Sequence, residues 1–264
     1  NFWGDLSGNL DASHLISSPN PATLNGDCVG GGANNASFPV TIGAFRTLWG
    51  VNVANATVLG GCIDDAKIGS DLIQLKRAVA APILNPLIAN LADNRYFINS
   101  NATSAAIFAG DDAAIPTVNI GRVWEYQHHV YYIREDSQGS NTIPVLMQGR
   151  LTTKMTFDPI IDGIEVVRFM YGVDTDAPGT AGYGIADTFL SADNMTNTQW
   201  DNGSNNRILA VRIFVLARSI LPDNKYTNTN TYSFGDTTLT YNDNYRRLLF
   251  SSTVTLYNAG VDSW

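Results

Sequence analysis

Alternating apolar and polar residues recur along the chain and predict β-strands, because successive side chains of a strand point to opposite faces. The predicted strand segments are 70–78, 118–120, 123–134, 144–151, 164–174, 207–219 and 245–257. Aromatic and β-branched residues, rather than alternation, indicate that 118–120 and 123–134 form a long strand. Gly139 lies between the third and fourth segments and supplies the turn of a predicted hairpin. Both faces of 207–219 are largely apolar, which predicts a central strand.

Helical patterns are shorter and weaker. Residues 82–94 have apolar residues at helical spacing, although two prolines work against a helix there. One helical turn is predicted over 158–163, with proline near its start and glycine at its end. Asp193 is a candidate helix cap ahead of Met195, and 222–240 is predicted to be a long Asn/Thr-rich loop. The sequence therefore predicts an α+β, mostly β fold with an antiparallel sheet.

The chain shows no internal repeat and no linker that forces a domain boundary. We expect a single unit over 1–264, with a loop-rich part over 1–115 and the main sheet over 116–264. Within the first part, 1–66 is expected to be irregular. The chain starts without Met or an apolar leader, so we expect a processed or truncated product, and no run of about 18 apolar residues predicts a membrane span.

Composition and charge exclude some classes of function. The chain has 264 residues, 15% of them charged, and a formal net charge of −8. An acidic chain without long Lys/Arg runs argues against binding to nucleic-acid phosphates or to anionic lipid. The abundance of Asn, Thr, Ser and Gly is typical of exported β-rich proteins.

The two cysteines, Cys28 and Cys62, both lie in glycine-rich loops. Neither has a second Cys or a His at zinc-ligand spacing. They are expected to form one disulfide in an oxidising compartment, worth about 3–4 kcal/mol in the chain-entropy model. Two unrelated free thiols remain the alternative.

The motifs of common catalytic sites are absent from the sequence, including nucleophile elbows, phosphate loops and zinc-protease signatures. His128 and His129 are adjacent on a predicted strand, so they point to opposite faces and cannot bind one metal ion together. His14 stands alone, and the aspartate pairs at 64–65 and 111–112 are typical of solvated turns. We expect no enzyme, no catalytic residue, no metal ligand and no cofactor.

The segment 174–179 begins like a calcium-binding loop, with aspartates at positions one and three and glycine at position six. Pro178 at position five and Ile185 at position twelve offer no side-chain oxygen. The pattern favours a plain turn after a strand, and calcium binding by Asp174 and Asp176 remains the alternative.

Three segments carry a resemblance to a known family: 159–176 (PIIDGIEVVRFMYGVDTD), 209–219 (LAVRIFVLARS) and 245–258 (YRRLLFSSTVTLYN). Weaker matches are 2–4 (FWG) and 69–78 (GSDLIQLKRA). In sequence, order and spacing they resemble segments of the PilW family of type IV pilus assembly proteins, the minor pilins of Gram-negative bacteria.

The resemblance implies a type IV pilin-like antiparallel sheet with large loop-rich insertions. The family's leader and long apolar N-terminal helix are absent, so we expect an ectodomain that begins just after that helix. The acidic run that follows "DTD" in the family is Ala177-Pro178-Gly179 here, which weakens the case for metal binding. The region 11–57 matches little of the family.

The resemblance also implies a function, that of a structural minor pilin in the tip complex that primes pilus assembly. Its expected partners are other minor pilins, the major pilin and a large tip adhesin, with no nucleic acid, and a membrane contact only through the missing helix. It would reside in the inner membrane and periplasm before assembly and at the extracellular pilus tip afterwards. The loops at 11–57 and 222–242 are expected to supply partner contacts.

Two other classes of function remain as alternatives to a minor pilin. A stand-alone carbohydrate-binding adhesin needs an exposed aromatic platform, for which the candidates are Trp3, Trp49, Trp124, Trp200 and Trp264. A carboxylate-dependent glycosidase needs two converging acids with separated pKa values.

The arginines of the last predicted strand need acidic partners, because Arg is rarely buried unpaired. We expect Arg246 and Arg247 to pair with Asp174 or Asp176, which would tie the acidic turn to that strand.

Overall fold

The computed structural model of the chain describes residues 9–10, 27–39, 43–101 and 104–256. Within these residues, strands β1–β15 span Asn9–Leu10, Gly43–Ala44, Leu48–Asn52, Asp71–Ala78, Tyr96–Ser100, Ala105–Ala109, Arg122–Gln138, Asn141–Leu151, Met155–Asp162, Ile164–Asp174, Thr188–Ser191, Arg207–Arg218, Thr231–Phe234, Thr237–Thr240 and Arg247–Thr255. One short α-helix, α1, covers Asn197–Trp200, and single 3-10 turns cover Leu59–Gly61, Ile88–Asn90 and Ala192–Asn194. The described chain is mostly β, which confirms the predicted fold class.

Seven strands form the larger sheet, and its centre is the long strand β7. β4 pairs with one edge of β7, and β3 adds beyond β4. The other edge of β7 is shared, first by β5 with β6 and then by the β8–β9 pair. All these pairings are antiparallel, and the predicted β7–β8 hairpin turns at Gly139, where φ is +63°.

The second sheet has four antiparallel strands in the order β11-β10-β12-β15. β12 lies between β10 and β15, as the two apolar faces of its sequence predicted. Almost every residue of β10 is buried. A register shift between Ile164 and Val166 leaves Glu165 as the extra residue of a β-bulge.

A shared hydrophobic core packs the two sheets against each other. Leu48, Ile73 and Ile133 of the larger sheet contact Phe169 and Tyr171 of β10 in one buried cluster. β3 and β10 approach closely at Gly50, because a Cβ atom there would overlap the Tyr171 hydroxyl. On the opposite face of the second sheet, Phe234, Val166 and Leu216 form a smaller core beneath the β13–β14 hairpin.

The segment 27–39 is irregular and lies on the larger sheet, where Phe38 enters its main core. Cys28 and Cys62 are joined as a disulfide, with Cα atoms 5.1 Å apart. Gln74 of β4 donates a hydrogen bond to the Cys28 carbonyl (3.0 Å). The disulfide joins the segment to the residue after the 3-10 turn Leu59–Gly61, and Gln74 holds it on the sheet.

Four local predictions were wrong. Residues 158–163 belong to strand β9 and the turn after it, because their backbone pairs with β8 and Gly163 (φ +87°) makes the tight turn into β10. The segment 82–94 contains only one 3-10 turn. Residues 118–120 form no strand. The predicted loop 222–240 contains the β13–β14 hairpin, paired from Thr231 to Thr240.

The predicted helix cap is also displaced. Asp193 lies in a 3-10 turn, and the cap of α1 is Thr196, whose side chain accepts from the Gln199 amide in a capping box. Among the described helices, none is long and apolar enough to cross a membrane.

Candidate interaction surface

The last strand, β15, forms an edge of the second sheet. It pairs with β12 on one side, and no described strand pairs with its other side. Leu248, Phe250 and Val254 are 59%, 53% and 47% exposed. Arg247 is the one charged residue of its nine. We call β15 and these three apolar side chains the edge surface.

The exposed apolar face of β15 continues a buried face of the same sheet. Val254 stands opposite Val211 of β12, which in turn stands opposite Tyr171 of β10. Tyr171 and Val211 are buried against the larger sheet, and Val254 lies beyond that cover. The edge surface is therefore the uncovered end of the inter-sheet core.

The free edge also presents backbone hydrogen-bonding groups. The Leu256 amide donates to a β12 carbonyl (2.7 Å), and the Arg246 carbonyl accepts from the amide just after β12 (2.9 Å). Both groups belong to even-numbered residues, and the side to which backbone groups point alternates along an antiparallel strand. Odd-numbered residues such as Ser251 and Thr253 therefore point their backbone groups away from β12.

Other strand edges have features that discourage pairing. The outer strand β9 contains Pro159 and the charged residues Asp158 and Asp162. β11, at the opposite edge of the second sheet, has only four residues. Charge, proline and shortness are the common protections of sheet edges, and β15 has none of them beyond its first residue.

An arginine–carboxylate network fixes the start of β15. Arg247 is almost fully buried and donates to Glu165 through Nε (2.6 Å) and Nη2 (2.9 Å). It also donates to Asp243 through Nη1 and Nη2, each at 2.7 Å. The Arg247 guanidinium covers the Tyr241 ring at 3.5 Å, and Arg218 Nε lies 3.5 Å from Glu165. The β-bulge places Glu165 between the two arginines.

The predicted partners of these arginines were wrong. Arg247 pairs with Glu165 and Asp243 rather than with Asp174 or Asp176, because β15 begins at the end of the sheet where β10 also begins, whereas Asp174 lies at the far end of β10, opposite Arg207. Arg246 is 61% exposed on its side chain and pairs with Asp223 (2.9 Å).

The acidic turn after β10 has its own partners. Asp174, Asp176 and Asp187 bring carboxylate oxygens within 4.8 Å of one another, the one such group of possible metal ligands in the described chain. Asp174 is buried and accepts from the Asp176 amide (2.9 Å), the Gly184 amide (2.8 Å) and Arg207 Nη2 (2.6 Å). Desolvation opposes ionisation, but these hydrogen bonds prevail and lower the pKa of Asp174. The ionised Asp174 carboxylate therefore stabilises the conformation of the turn through these hydrogen bonds.

The histidines lie as predicted on opposite faces of β7. His128 is fully buried, and its Nδ1 lies 2.8 Å from the Ser37 hydroxyl. Burial is the main cause that holds the pKa of His128 well below its usual range. His129 faces the other side and is half-buried. His14 lies outside the described residues.

The described tryptophans do not form an exposed platform. Trp200 is buried and stacks edge-on against Tyr171, with ring centroids 4.7 Å apart. Trp49 packs beside Trp200 at 6.3 Å, and Trp124 is partly buried against the main core. Trp3 and Trp264 lie outside the described residues.

Comparison with known protein families gives a match for the second half of the chain. Residues 130–258 match the family PilW, described as type IV pilus-assembly protein W, over just under half of the chain. No curated protein matches the chain, and no solved structure matches it. The matched region runs from the middle of β7 to just beyond β15, so it contains the whole second sheet and the edge surface. The three strong segments of the resemblance lie inside it.

Proposed function

The chain belongs, over residues 130–258, to the PilW family of type IV pilus assembly proteins, and on that premise we propose that it is a structural minor pilin. It forms part of the tip complex that primes pilus assembly. The whole chain acts as one ectodomain, in which the part over 1–115 contributes strands β3 to β6 to the larger sheet and the part over 116–264 contributes β7 to β9 and the second sheet.

The edge surface is the observation that carries this proposal. A nine-residue exposed strand with apolar side chains and free backbone groups would promote uncontrolled association unless a partner covers it. Strand addition supplies such a cover, because main-chain hydrogen bonds give affinity and alternate side chains give specificity. We assign the edge surface to a strand of a neighbouring pilus subunit.

The partners in this proposal are other minor pilins, with the major pilin and a large tip adhesin as further contacts. The subunit resides in the inner membrane and periplasm before assembly and at the pilus tip afterwards. It catalyses no reaction on another molecule and needs no cofactor. The hairpin within 222–242 is the less suitable docking element, because Phe234 is buried in a core and Asp236 pairs with Arg168.

The test is complementation of a strain that lacks this gene, with surface pili counted by electron microscopy. Wild-type protein restores piliation. Ser251→Pro removes a backbone N–H from the free edge while leaving the β12 ladder intact, so it lowers pilus number. Ser251→Ala keeps the N–H and serves as the matched control, which restores piliation.

Two results would overturn the proposal in different ways. If the deletion strain keeps normal pili, the role in pilus assembly is wrong. If Ser251→Pro folds with the wild-type melting temperature and restores piliation fully, the edge surface is not the docking site.

A further inference from the structure

Lys76 of β4 is buried beside an asparagine side chain. Its side chain reaches beneath the segment 27–39, where Nζ donates to Asn35 Oδ1 (2.7 Å) and to the Arg46 carbonyl (3.0 Å). Lys76 is 3% exposed and Asn35 is 0% exposed. The amine also lies over the Phe45 ring, 4.8 Å from its centroid.

The surroundings favour the neutral amine. Both hydrogen-bond acceptors of Nζ are uncharged oxygens. Desolvation holds the pKa of Lys76 well below its usual range; the charge of Asp27 opposes this shift and that of Arg46 adds to it. A neutral lysine is a nucleophile, as the amines of catalytic lysines show.

We propose that Lys76 and Asn35 form an isopeptide bond within the folded chain. Nζ attacks the side-chain carbonyl carbon Cγ of Asn35, which is one bond beyond the oxygen that it now contacts. The Nζ–Cγ bond forms and the Cγ–Nδ2 bond breaks. One proton passes from Nζ to Nδ2, which leaves as ammonia. No oxidant, reductant or cofactor enters the balance.

The site has the features that such a step needs. The two reacting groups are held together in a water-excluded core, so the reaction is intramolecular and gains from proximity. Asn35 Nδ2 is buried without a hydrogen-bond partner in the described part of the chain, so losing it as ammonia breaks no contact there. Asp27 is the carboxylate whose charge acts on Lys76, and Ser37 fixes it through its backbone amide (3.0 Å).

The proposed bond lies close to the disulfide. Asn35 is seven residues after Cys28, and Lys76 is fourteen residues after Cys62. The disulfide joins the segment 27–39 to the residue after the 3-10 turn Leu59–Gly61, and the proposed bond would join it to strand β4. The bond would form from Lys76 and Asn35 alone, whatever the role of the protein in the pilus.

The test is the intact mass of the purified wild-type chain after denaturation and disulfide reduction. We expect a mass below that of the sequence by one ammonia. A tryptic digest should contain one branched peptide in which Lys76 is joined to Asn35. A wild-type mass equal to the sequence mass, with Lys76 and Asn35 in separate linear peptides, would overturn the proposal.

Variants separate the crosslink from other losses of ammonia, such as cyclisation of an asparagine. Lys76→Met removes the nucleophile at similar size and should restore the full mass. Lys67→Arg, at a surface ion pair with Glu135, should keep the ammonia loss. If Lys76→Met retains the loss of ammonia, another residue is its source and the proposal is wrong.

Discussion

Arg168 of β10 and Asp71 of β4 form a buried ion pair that joins the two sheets, with Nη1 2.8 Å from Oδ1. The other oxygen of Asp71 accepts from the Phe169 amide (2.7 Å). Arg168 also reaches Asp236, in the turn of the β13–β14 hairpin (2.8 Å). Burial raises the pKa of Asp71, although the Phe169 amide and Arg168 both act to lower it. The ionised form of Asp71 therefore depends on Arg168 and the Phe169 amide. One arginine therefore links both sheets and the hairpin.

We expect Arg168→Met to lower the free energy of unfolding by about 3–5 kcal/mol, because it leaves the Asp71 carboxylate buried and unpaired. The double variant Arg168→Met/Asp71→Asn should recover part of this loss. Urea unfolding followed by tryptophan fluorescence measures both. The control is Asp193→Asn, whose side chain is 52% exposed. If Arg168→Met lowers the free energy of unfolding no more than Asp193→Asn does, the Arg168–Asp71 pair does not hold the two sheets together.

Two neighbouring arginines should behave very differently. Arg247→Ala leaves Glu165 without its main partner in a buried network, so we expect a loss of about 3 kcal/mol in the free energy of unfolding. Arg246→Ala removes an exposed pair, and its melting temperature should equal that of the wild type. Differential scanning calorimetry compares the two. Equal melting temperatures for both variants would refute the network at β15.

The alternation of residues predicted the framework well. β4, β7, β8, β10, β12 and β15 are all strands in the structure. The first five bury side chains in the cores, whereas β15 keeps its exposed side chains and is held as a strand by its pairing with β12. The same rule failed at 158–163, where proline and glycine are typical of a helical turn but also suit an edge strand and a tight hairpin. The residues of 158–163 alone could not distinguish a helical turn from an edge strand, because the strand forms by pairing with β8, which is distant information for a local pattern.

The candidate surface was harder to predict. Phe250 and Val254 have the same alternation as a buried strand, and the sequence does not reveal that the larger sheet ends before it covers them. The pairing of Arg247 with Glu165 depends on a β-bulge and on strand order, so spacing alone could not identify it. Asp243 lies only four residues before Arg247, but spacing along the sequence does not single it out from the other carboxylates as a partner.

The disulfide should contribute to stability. Cys28 and Cys62 close a loop with a sequence separation of 34, for which the chain-entropy model gives about 3–4 kcal/mol. We expect Cys28→Ser/Cys62→Ser to lose this amount in urea unfolding, and the reduced wild-type protein to match it. Alkylation of the denatured, unreduced chain should label neither cysteine. Labelling of both under those conditions would show that they are free thiols.

His128 should make stability fall as the pH falls from neutral. Burial holds the pKa of His128 well below its ordinary value of 6.5. Between the folded and unfolded pKa values the unfolded chain binds more protons, so acid favours unfolding. A group of this kind contributes a slope of up to about 1.4 kcal/mol per pH unit below pH ~6.5.

We expect the melting temperature of the wild type to fall from pH 7 to pH 5, and that of His128→Gln to fall less. Asp174 and Asp243 have lowered pKa values, so their contributions are lost only below their ordinary value of 3.8, outside this range. His129→Gln controls for the half-buried neighbour, whose pKa burial also lowers. The slope is the decisive measurement, because a lost contact shifts the whole curve and leaves its slope unchanged. Parallel curves for the wild type and His128→Gln would show that His128 is protonated equally in the folded and unfolded chains.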